Sequence, residues 1–516
     1  CDSRVANSFS KIRPTFFGGV LVVSFLVVIT VGTLIAVVCR IEGFSGLTWN
    51  EWTAIRFTFF QSFVSAAISV LLAIPVSRAF FRQDFIGRNI LITLLGAPFI
   101  LPVIVAILGL ILVFGSKGIL SQLMGFSAFS IYGVHGVILA HVFFNLPLAT
   151  RLLLQGWNSI SSEQFRLGQS LSFSPLNFFM HLELPMLCRV VPGVFLIIFL
   201  ICTTSFAVAL TLGGGPKATT VELAIYQAFR FDFNLSRVAI LSVIQLLMCG
   251  LIAVLSIWIA FPAHYEGGLD RVRPIATTGK ILDFIFIACA AIFLILPLAM
   301  ILIRGSGSLF LLPQSVMFSA LRSILVSLAA TGLATVMTLY LASLIVYYSK
   351  AYEIFGYLPI AASPLVLGTG LYIIFYNFID PGKMALPSAI VINAIMCIPF
   401  SLRIITPAFK DLEDSFGRLA DSLNLIGWSR FRWLIWPRLK GPIGFSAGLS
   451  AALSMGDLGV IVLFSNPNHS TLPMEIYRLM TAYRMDEAFG AALLLLVLSI
   501  SLFWIFDKGG RKNAIT

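Results

Sequence analysis

The chain has 516 residues, of which 59% are hydrophobic and 11% are charged, and its formal net charge is +12. Soluble domains carry about 25% charged residues, so this composition excludes a soluble protein and indicates one that crosses a membrane many times. The positive charge fits membrane topology and contact with anionic lipid, whereas nucleic-acid binding would need a soluble basic face that this chain lacks.

Twelve apolar runs are long enough to cross a hydrocarbon layer of about 30 Å, which takes about 20 helical residues. They occupy residues 17–39, 56–79, 90–114, 133–154, 190–213, 237–262, 280–303, 319–346, 355–376, 387–406, 441–465 and 487–507. The sequence therefore predicts an all-α membrane protein with twelve transmembrane helices. A polar linker at 263–279 divides them into two halves of six, 1–262 and 280–516. Because six spans return the chain to its starting side, the halves are predicted to be parallel repeats.

Lysine and arginine residues predict the orientation, because cytoplasmic loops retain positive charge. Most of the 34 basic residues fall on the side that holds both termini, the linker and the longest loop of each half. These loops are residues 155–189 and 407–440. We therefore expect both termini, the linker and both long loops to be cytoplasmic.

A segment of the first long loop, from Arg166 to Pro185, recurs at constant spacing in the second long loop, from Arg418 to Pro437. Each copy lies in a polar interval between strongly apolar stretches. Internal repetition of this length is typical of transporters. The sequence therefore predicts that both halves carry the same cytoplasm-facing device.

Apolar residues in the long loops follow the spacing of a helix. They are Ile160, Leu167 and Leu171 in the first loop, and Leu412, Phe416, Leu419 and Leu423 in the second. Each loop is predicted to hold a short helix outside the bilayer, either a lipid-surface connection or a docking helix that fits a groove on a cytoplasmic partner. The duplication favours docking, because one surface anchor needs no copy in each half.

The two loops resemble the EAA loops of ABC importer permeases, whose pattern is Glu-Ala-Ala, three residues, Gly and then a Leu-Pro pair. Arg166 and Arg418 stand at the glutamate position, and Ser172 and Asn424 stand at the glycine position. The spacing, the aromatic residues and the final Leu-Pro or Trp-Pro, with Pro185 and Pro437, are kept. Contacts that rely on the family's glutamate are therefore not implied for this chain.

Three further stretches resemble the thiamine importer permeases of Gram-negative bacteria. They begin at His141 (HVFFNLPLATRLLLQ), at Leu212 (LGGGPKATTVELAIYQA) and at Ser454 (SMGDLGVIVLF). The resemblance implies the transmembrane subunit of an ATP-driven importer in the inner membrane, which carries thiamine, together with its phosphate esters, into the cytoplasm. It also implies two copies of a cytoplasmic ABC ATPase and a periplasmic substrate-binding protein as partners. ATP is then used by the partner subunits, and no cofactor is expected on this chain.

Two other functions remain open. Ferric-iron importer permeases share the fused two-half architecture, but a ferric cargo would favour a more acidic pathway. An ion-coupled secondary transporter would need several acids inside the membrane as coupling sites, and only Asp457 qualifies clearly.

Asp457 lies inside the eleventh predicted span, between Gly456 and Gly459. An acid there costs roughly 2.5–3.5 kcal/mol on insertion scales, so it should face an interior cavity. Thiamine has a positive thiazolium ring and a flat aminopyrimidine, which an acid and aromatic surfaces would complement. Asp457 is thus either a pathway residue or a packed acid with an internal partner. Ser205 and Phe206 hold the equivalent place in the first half, which predicts an asymmetric pathway.

Glu222 follows the glycine-rich end of the fifth predicted span, where it either attracts a cation or pairs with Lys217. The nearby GGGPKATT lacks the glycine before lysine that a phosphate loop requires, so no nucleotide site is expected there. The five histidines and seven cysteines are scattered. No catalytic residues and no metal site are therefore expected on this chain.

Overall fold

The computed structural model describes residues 13–511 except 42–45, 96–100, 126–129, 214, 216–217, 260–278, 377, 379 and 465–468. All regular elements within these ranges are helices. Among the described residues, eleven helices are long and apolar enough to cross a membrane, or twelve when one bent pair counts as a single span. The prediction of an all-α, multi-span membrane protein is therefore confirmed. The predicted linker at 263–279 lies outside the described residues except for Gly279.

The helices of the first half are α1 (Arg13–Val38), α2 (Trp49–Arg82), α3 (Arg88–Leu94), α4 (Val103–Phe114), α5 (Ile119–Met124), α6 (Val134–Asn158), α7 (Ser162–Ser170), α8 (Pro175–Phe178), α9 (Leu184–Thr203), α10 (Phe206–Leu212), α11 (Val221–Arg230) and α12 (Leu235–Ile259). Those of the second half are α13 (Lys280–Ser308), α14 (Gln314–Tyr347), α15 (Glu353–Ala361), α16 (Pro364–Phe375), α17 (Pro381–Ser422), α18 (Trp428–Arg430), α19 (Trp436–Met455), α20 (Gly459–Phe464), α21 (Leu472–Thr481) and α22 (Met485–Arg511). Five-residue π turns join α8 to α9 and α18 to α19.

The third and fifth predicted spans of each half are interrupted. In the third spans, α4 is preceded by Pro102 and α16 begins at Pro364, and α15 and α16 are bent by 80°. Proline cannot donate the backbone hydrogen bond that would continue a helix, which accounts for these breaks. The fifth spans divide into α9 and α10 and into α19 and α20, so both halves break at equivalent places.

Each fifth span is followed by a short helix, α11 or α21, that the hydropathy pattern does not predict. The first backbone N–H of each helix is bound by a hydroxyl group of the second span in the same half. Val221 N donates to Thr58 Oγ1 at 2.8 Å, and Leu472 N donates to Ser323 Oγ at 2.7 Å. These bonds satisfy N–H groups that a helix start leaves without a partner.

The first span of each half packs on the other half: α1 contacts α14 and α16, whereas α13 contacts α2 and α4. Glycines allow the close approach, since small residues let membrane helices pack backbone to backbone. A Cβ added to Gly370 would lie 2.4 Å from Thr33 Cβ, and one added to Gly109 would lie 2.7 Å from Pro297 O. The two halves are thus interlocked.

The largest group of buried apolar side chains includes residues of both halves. Leu101, Phe206 and Val221 of the first half share this core with Leu365 and Val460 of the second. The broken third and fifth spans and the short helices all contribute to it. The interrupted helices therefore meet where the two halves face each other.

Candidate functional site

The first long loop contains a separate short helix, α7, as the sequence predicts. Ser161 caps it by accepting a hydrogen bond from Gln164 N at 3.4 Å. Leu167 and Leu171 are 61% and 59% exposed. We refer to these two side chains as the first leucine pair. Arg166, next to them, is also exposed.

The second long loop differs, because its predicted short helix is the last part of the 42-residue α17. The prediction of a separate helix is therefore wrong for this loop. Leu419 and Leu423 are 56% and 63% exposed and form the second leucine pair, next to the exposed Arg418. The two pairs occupy equivalent positions of the repeat.

The four-residue stripe predicted in the second loop does not share one exposed face. Leu412 is 6% exposed and packs in the core with Phe409 and Ile435, so it does not lie on the loop surface. Phe416 is half-buried, and the guanidinium of Arg438 lies 4.4 Å from its ring centre. Helical spacing alone cannot separate these inward residues from the exposed pair, because α17 continues from the bundle into the loop.

Both leucine pairs are followed by a residue in the left-handed region, Ser172 with φ +52° and Asn424 with φ +53°. These are the positions at which the EAA pattern has glycine. The backbone forms the same helix end in both loops: Phe173 N donates to Gly168 O at 3.0 Å, and Leu425 N donates to Ala420 O at 2.9 Å. This Schellman motif turns the chain sharply after each pair.

The two π turns also repeat, at Phe179–Glu183 and Phe431–Ile435. In each, the carbonyl oxygen of the first residue accepts a hydrogen bond from the backbone N–H five residues later. Pro185 and Pro437 are the second residues of α9 and α19, which follow these turns. Proline has no N–H and crowds the carbonyl four residues before it, which favours a widened turn. The turn after each leucine pair therefore has the same shape in both halves.

Polar contacts brace the second loop. Arg430 donates to both carboxylate oxygens of Glu413 and, at 2.7 Å, to Asp421 Oδ1, while the Tyr347 hydroxyl also donates to Glu413. The side chains of Arg430 and Glu413 are only 17% and 10% exposed. We call Tyr347, Glu413, Asp421 and Arg430 the ionic brace.

Aromatic rings brace the first loop. Phe165 stacks on Phe178, with 6.4 Å between ring centres, and its centre lies 5.9 Å from that of Phe81. Phe173 contacts Phe178 edge to face at 5.7 Å. We call Phe81, Phe165, Phe173 and Phe178 the aromatic brace.

Asp457 lies at the break between α19 and α20. Its Oδ1 atom accepts a hydrogen bond from Gly459 N at 3.1 Å. A Cβ added to Gly459 would lie 3.9 Å from Phe206 Cδ1, and one added to Gly456 would lie 2.9 Å from Pro102 Cα. The structure therefore brings Gly456, Asp457 and Gly459 against the first half, with Phe206 beside them.

Ser205 and Phe206 lie at the break between α9 and α10, and Ser205 makes no capping bond to α10. Glu222 is 1% exposed in α11, where its Oε1 atom accepts from Gln245 Nε2 at 3.4 Å. Ser363 of the second half also lies beside the Glu222 carboxylate. Glu222 is thus held between the halves, and Lys217 lies outside the described residues.

Two amide side chains that the sequence reasoning missed hold the first-half break. Gln61 Nε2 donates to Cys202 O at 3.1 Å, and Gln245 Nε2 donates to Thr203 O at 3.1 Å. In the second half, Asn393 Nδ2 donates to Ser454 Oγ at 3.1 Å. An amide inside an apolar span is the signal that could have identified them, since polar groups at membrane depth need internal partners.

Comparison with known proteins gives close matches over nearly the whole length. The chain is 36% identical over 521 residues to the thiamine transport system permease protein ThiP of Escherichia coli (strain K12), covering 94% of this chain and 96% of that protein. It is 35% identical over 494 residues to ThiP of Salmonella typhimurium (strain LT2), covering 91% of both, and 32% identical over 524 residues to ThiP of Brucella abortus (strain 2308), covering 96% of both. No protein-family model matches the chain.

Proposed function

Because the chain belongs to the family of thiamine transport system permease proteins, we propose that it imports thiamine. In this proposal it is the membrane subunit of an ATP-driven importer and carries thiamine, together with its phosphate esters, from the periplasm to the cytoplasm. Relatives at 32–36% identity that cover more than 90% of the chain support this cargo. The chain itself is a permease without ATPase activity, and ATP is hydrolysed by partner subunits.

The observation that carries the mechanism is the duplicated loop surface. Each loop presents one exposed leucine pair, one left-handed residue and one π turn at equivalent positions. Two exposed leucines one helical turn apart suit a shallow apolar groove on a partner. Because the two surfaces match, we propose that two copies of one cytoplasmic ATPase bind them, one on each loop.

We propose that the loops face the cytoplasm and that the opposite end of the bundle faces the periplasm. The concentration of basic residues on the loop side supports this orientation, which puts both termini inside. A periplasmic binding protein would then deliver thiamine to the opposite end. Closure of the ATPase pair would move the loops together with α9, α17 and α19, to which they are directly joined, and switch the pathway between inward-open and outward-open states.

Uptake by cells that lack this chain tests the cargo. We expect radiolabelled thiamine uptake to fall at least tenfold and to return with the wild-type chain, while iron uptake stays normal. A loss of iron uptake with unchanged thiamine uptake would instead identify a ferric-iron permease. Uptake into vesicles that persists on an ion gradient, with the ATPase inactivated, would identify a secondary transporter.

A charge-insertion variant tests the docking surface. Leu419→Glu together with Leu423→Glu places two carboxylates in the apolar groove, where desolvation is unfavourable. We expect the ATPase to be lost from the purified complex while the chain still inserts in the membrane. The matched control is Leu419→Met with Leu423→Met, which keeps volume and apolarity and should retain the ATPase. Retention by the glutamate variant would show that the leucine pair does not bind it.

A further inference from the structure

The break between α19 and α20 faces the other half of the protein. Gly456 lies against Pro102, which precedes α4, and Gly459 lies beside Phe206, which begins α10. Both contacts join the second half to the first. Asp457 is therefore placed where two broken helices from different halves meet, the type of location at which transporters hold their cargo.

The two carboxylate oxygens of Asp457 have different surroundings. Oδ1 accepts a hydrogen bond from Gly459 N and so fixes the start of α20. Oδ2 is buried and forms no hydrogen bond within 3.5 Å among the residues described. The neutral side-chain amide of Asn393 and the backbone N–H of Val460 lie beside the carboxylate, so its polar neighbours carry no positive charge. Asp457 also forms no ion pair in the described part of the chain. A buried charge without a counterion is costly, and a cationic cargo would supply that counterion.

Aromatic rings of α10, α11, α16 and α20 contact one another, and Phe206 among them lies beside this break. Phe206 contacts Tyr226 edge to face, with 5.5 Å between ring centres. Phe229 contacts Tyr372 of the second half at 4.7 Å, and Tyr372 lies 5.8 Å from Phe464, the last residue of α20. Aromatic faces attract organic cations and pack against flat heterocycles. The rings come from both halves, as expected for a site between them.

From this geometry we propose that the helix break at Asp457 is a binding site for the positively charged ring of the cargo during translocation. The proposal rests on the proposed function, and it assigns the thiazolium ring of thiamine to Asp457 Oδ2 and its flat pyrimidine to Phe206 and Tyr226. Only one of the two equivalent breaks carries an acid, since the first half has Ser205 in place of Asp457. One charged ring is therefore bound at a time.

An asparagine variant separates this role from the capping role. Asp457→Asn keeps an oxygen that can accept from Gly459 N but removes the negative charge. We expect thiamine uptake by the complex in proteoliposomes to fall at least tenfold, while ATP hydrolysis stimulated by the binding protein stays within twofold. Asp457→Glu, which restores the charge, should recover at least a third of wild-type uptake. Asp507→Asn, which removes an acid paired with Arg511 at the end of α22, is the matched control and should transport normally.

Other results of these uptake assays would contradict either the Asp457 site or thiamine import itself. Uptake by Asp457→Asn at the wild-type rate, or equal losses of uptake and ATP hydrolysis, would overturn the site, because the charge would then be dispensable or purely structural. Failure of Asp457→Glu to recover uptake after a loss in Asp457→Asn would overturn it as well. Absence of thiamine uptake by the wild-type complex would instead overturn the proposed function.

The aromatic contact has an independent test. Phe206→Leu keeps the apolar volume but removes the ring face, and we expect a threefold to tenfold loss of thiamine uptake. Phe206→Tyr keeps the ring and should stay within twofold of wild type. If Phe206→Leu transports thiamine as well as Phe206→Tyr does, the Phe206 ring only fills space and the pyrimidine is not bound there.

Discussion

The two long loops present the same outer surface on different supports. Outside, each has a leucine pair, a left-handed residue and a π turn. Inside, the first loop rests on stacked rings, whereas the second rests on a nearly buried arginine–glutamate pair. The outer surface, which a two-fold partner would contact, is the same in both loops. The inner support, which such a partner would not contact, differs between them.

At equivalent positions of the repeat, the two supports have side chains of different size. Phe165 and Phe178 of the aromatic brace correspond to Gly417 and Arg430 of the second loop. A Cβ added to Gly417 would lie 2.9 Å from Glu413 Oε2 and 3.5 Å from Arg430 Nη2. Glycine at 417 therefore leaves the space that the arginine–glutamate pair occupies, and this space is filled by the Phe165 ring in the first loop.

The largest effect is expected from the shared surface. Leu167→Glu with Leu171→Glu should lower thiamine uptake at least tenfold, as should Leu419→Glu with Leu423→Glu, because the proposed mechanism requires one ATPase copy on each loop. Uptake and ATPase copurification, measured side by side, should differ by less than twofold between the two variants. If the variant of one loop lost uptake severely and the variant of the other loop kept normal uptake, the two surfaces would not bind the same partner.

A smaller effect is expected from breaking the ionic brace. Arg430→Met leaves the Glu413 carboxylate nearly buried without its cation, and removing one partner of a buried pair costs about 3–5 kcal/mol. We expect lower thermal stability and faster proteolysis within 407–440, with no change in the first loop.

The control for this variant also neutralises the acid. Arg430→Met with Glu413→Gln should recover part of the stability, because no unpaired charge then remains. Equal stability of the single and double variants would show that the pair contributes nothing to the support.

A transplant of the first support into the second loop sharpens the comparison further. Gly417→Phe alone forces a ring against Glu413, and overpacking of this kind costs about 1–3 kcal/mol. Adding Glu413→Ser and Arg430→Phe reproduces Ser161, Phe165 and Phe178 of the first loop, so the triple variant should be more stable than Gly417→Phe. Thermal unfolding of the purified complex measures this non-additivity. A triple variant less stable than the single would mean that the two supports are not interchangeable.

The sequence predicts the exposed surfaces of the two loops better than it predicts the aromatic and ionic braces that support them. Repetition at constant spacing marks both loops, and the EAA pattern marks Ser172 and Asn424, because the chemistry of a tight helix end is local. The difference between the supports depends on which side chains meet across a turn. Helical spacing therefore grouped the buried Leu412 with the exposed Leu419, although they face different surroundings.

The breaks in the fifth spans also depend on contacts between distant residues that the sequence pattern does not show. Asp457 and its glycines mark one break in the sequence, but the equivalent break at Ser205 has no proline or glycine beside it. That break is held by Gln61 and Gln245, which reach its carbonyl groups from two other helices. The exchange of first spans between halves likewise depends on distant contacts, such as Thr33 with Gly370. A hydropathy pattern contains none of these pairings.

The smallest effect is expected at the left-handed residues. A non-glycine residue there costs roughly 1–2 kcal/mol, and asparagine tolerates the conformation better than serine. Ser172→Gly should therefore stabilise its turn by about 1 kcal/mol, and Asn424→Gly should stabilise the other by less. Amide hydrogen exchange across each turn should slow about fivefold in the first case. Arg166→Gly, in the middle of α7, should instead speed exchange, because glycine destabilises a helix interior. If Asn424→Gly gained as much as Ser172→Gly, the asparagine would give its loop no advantage over serine.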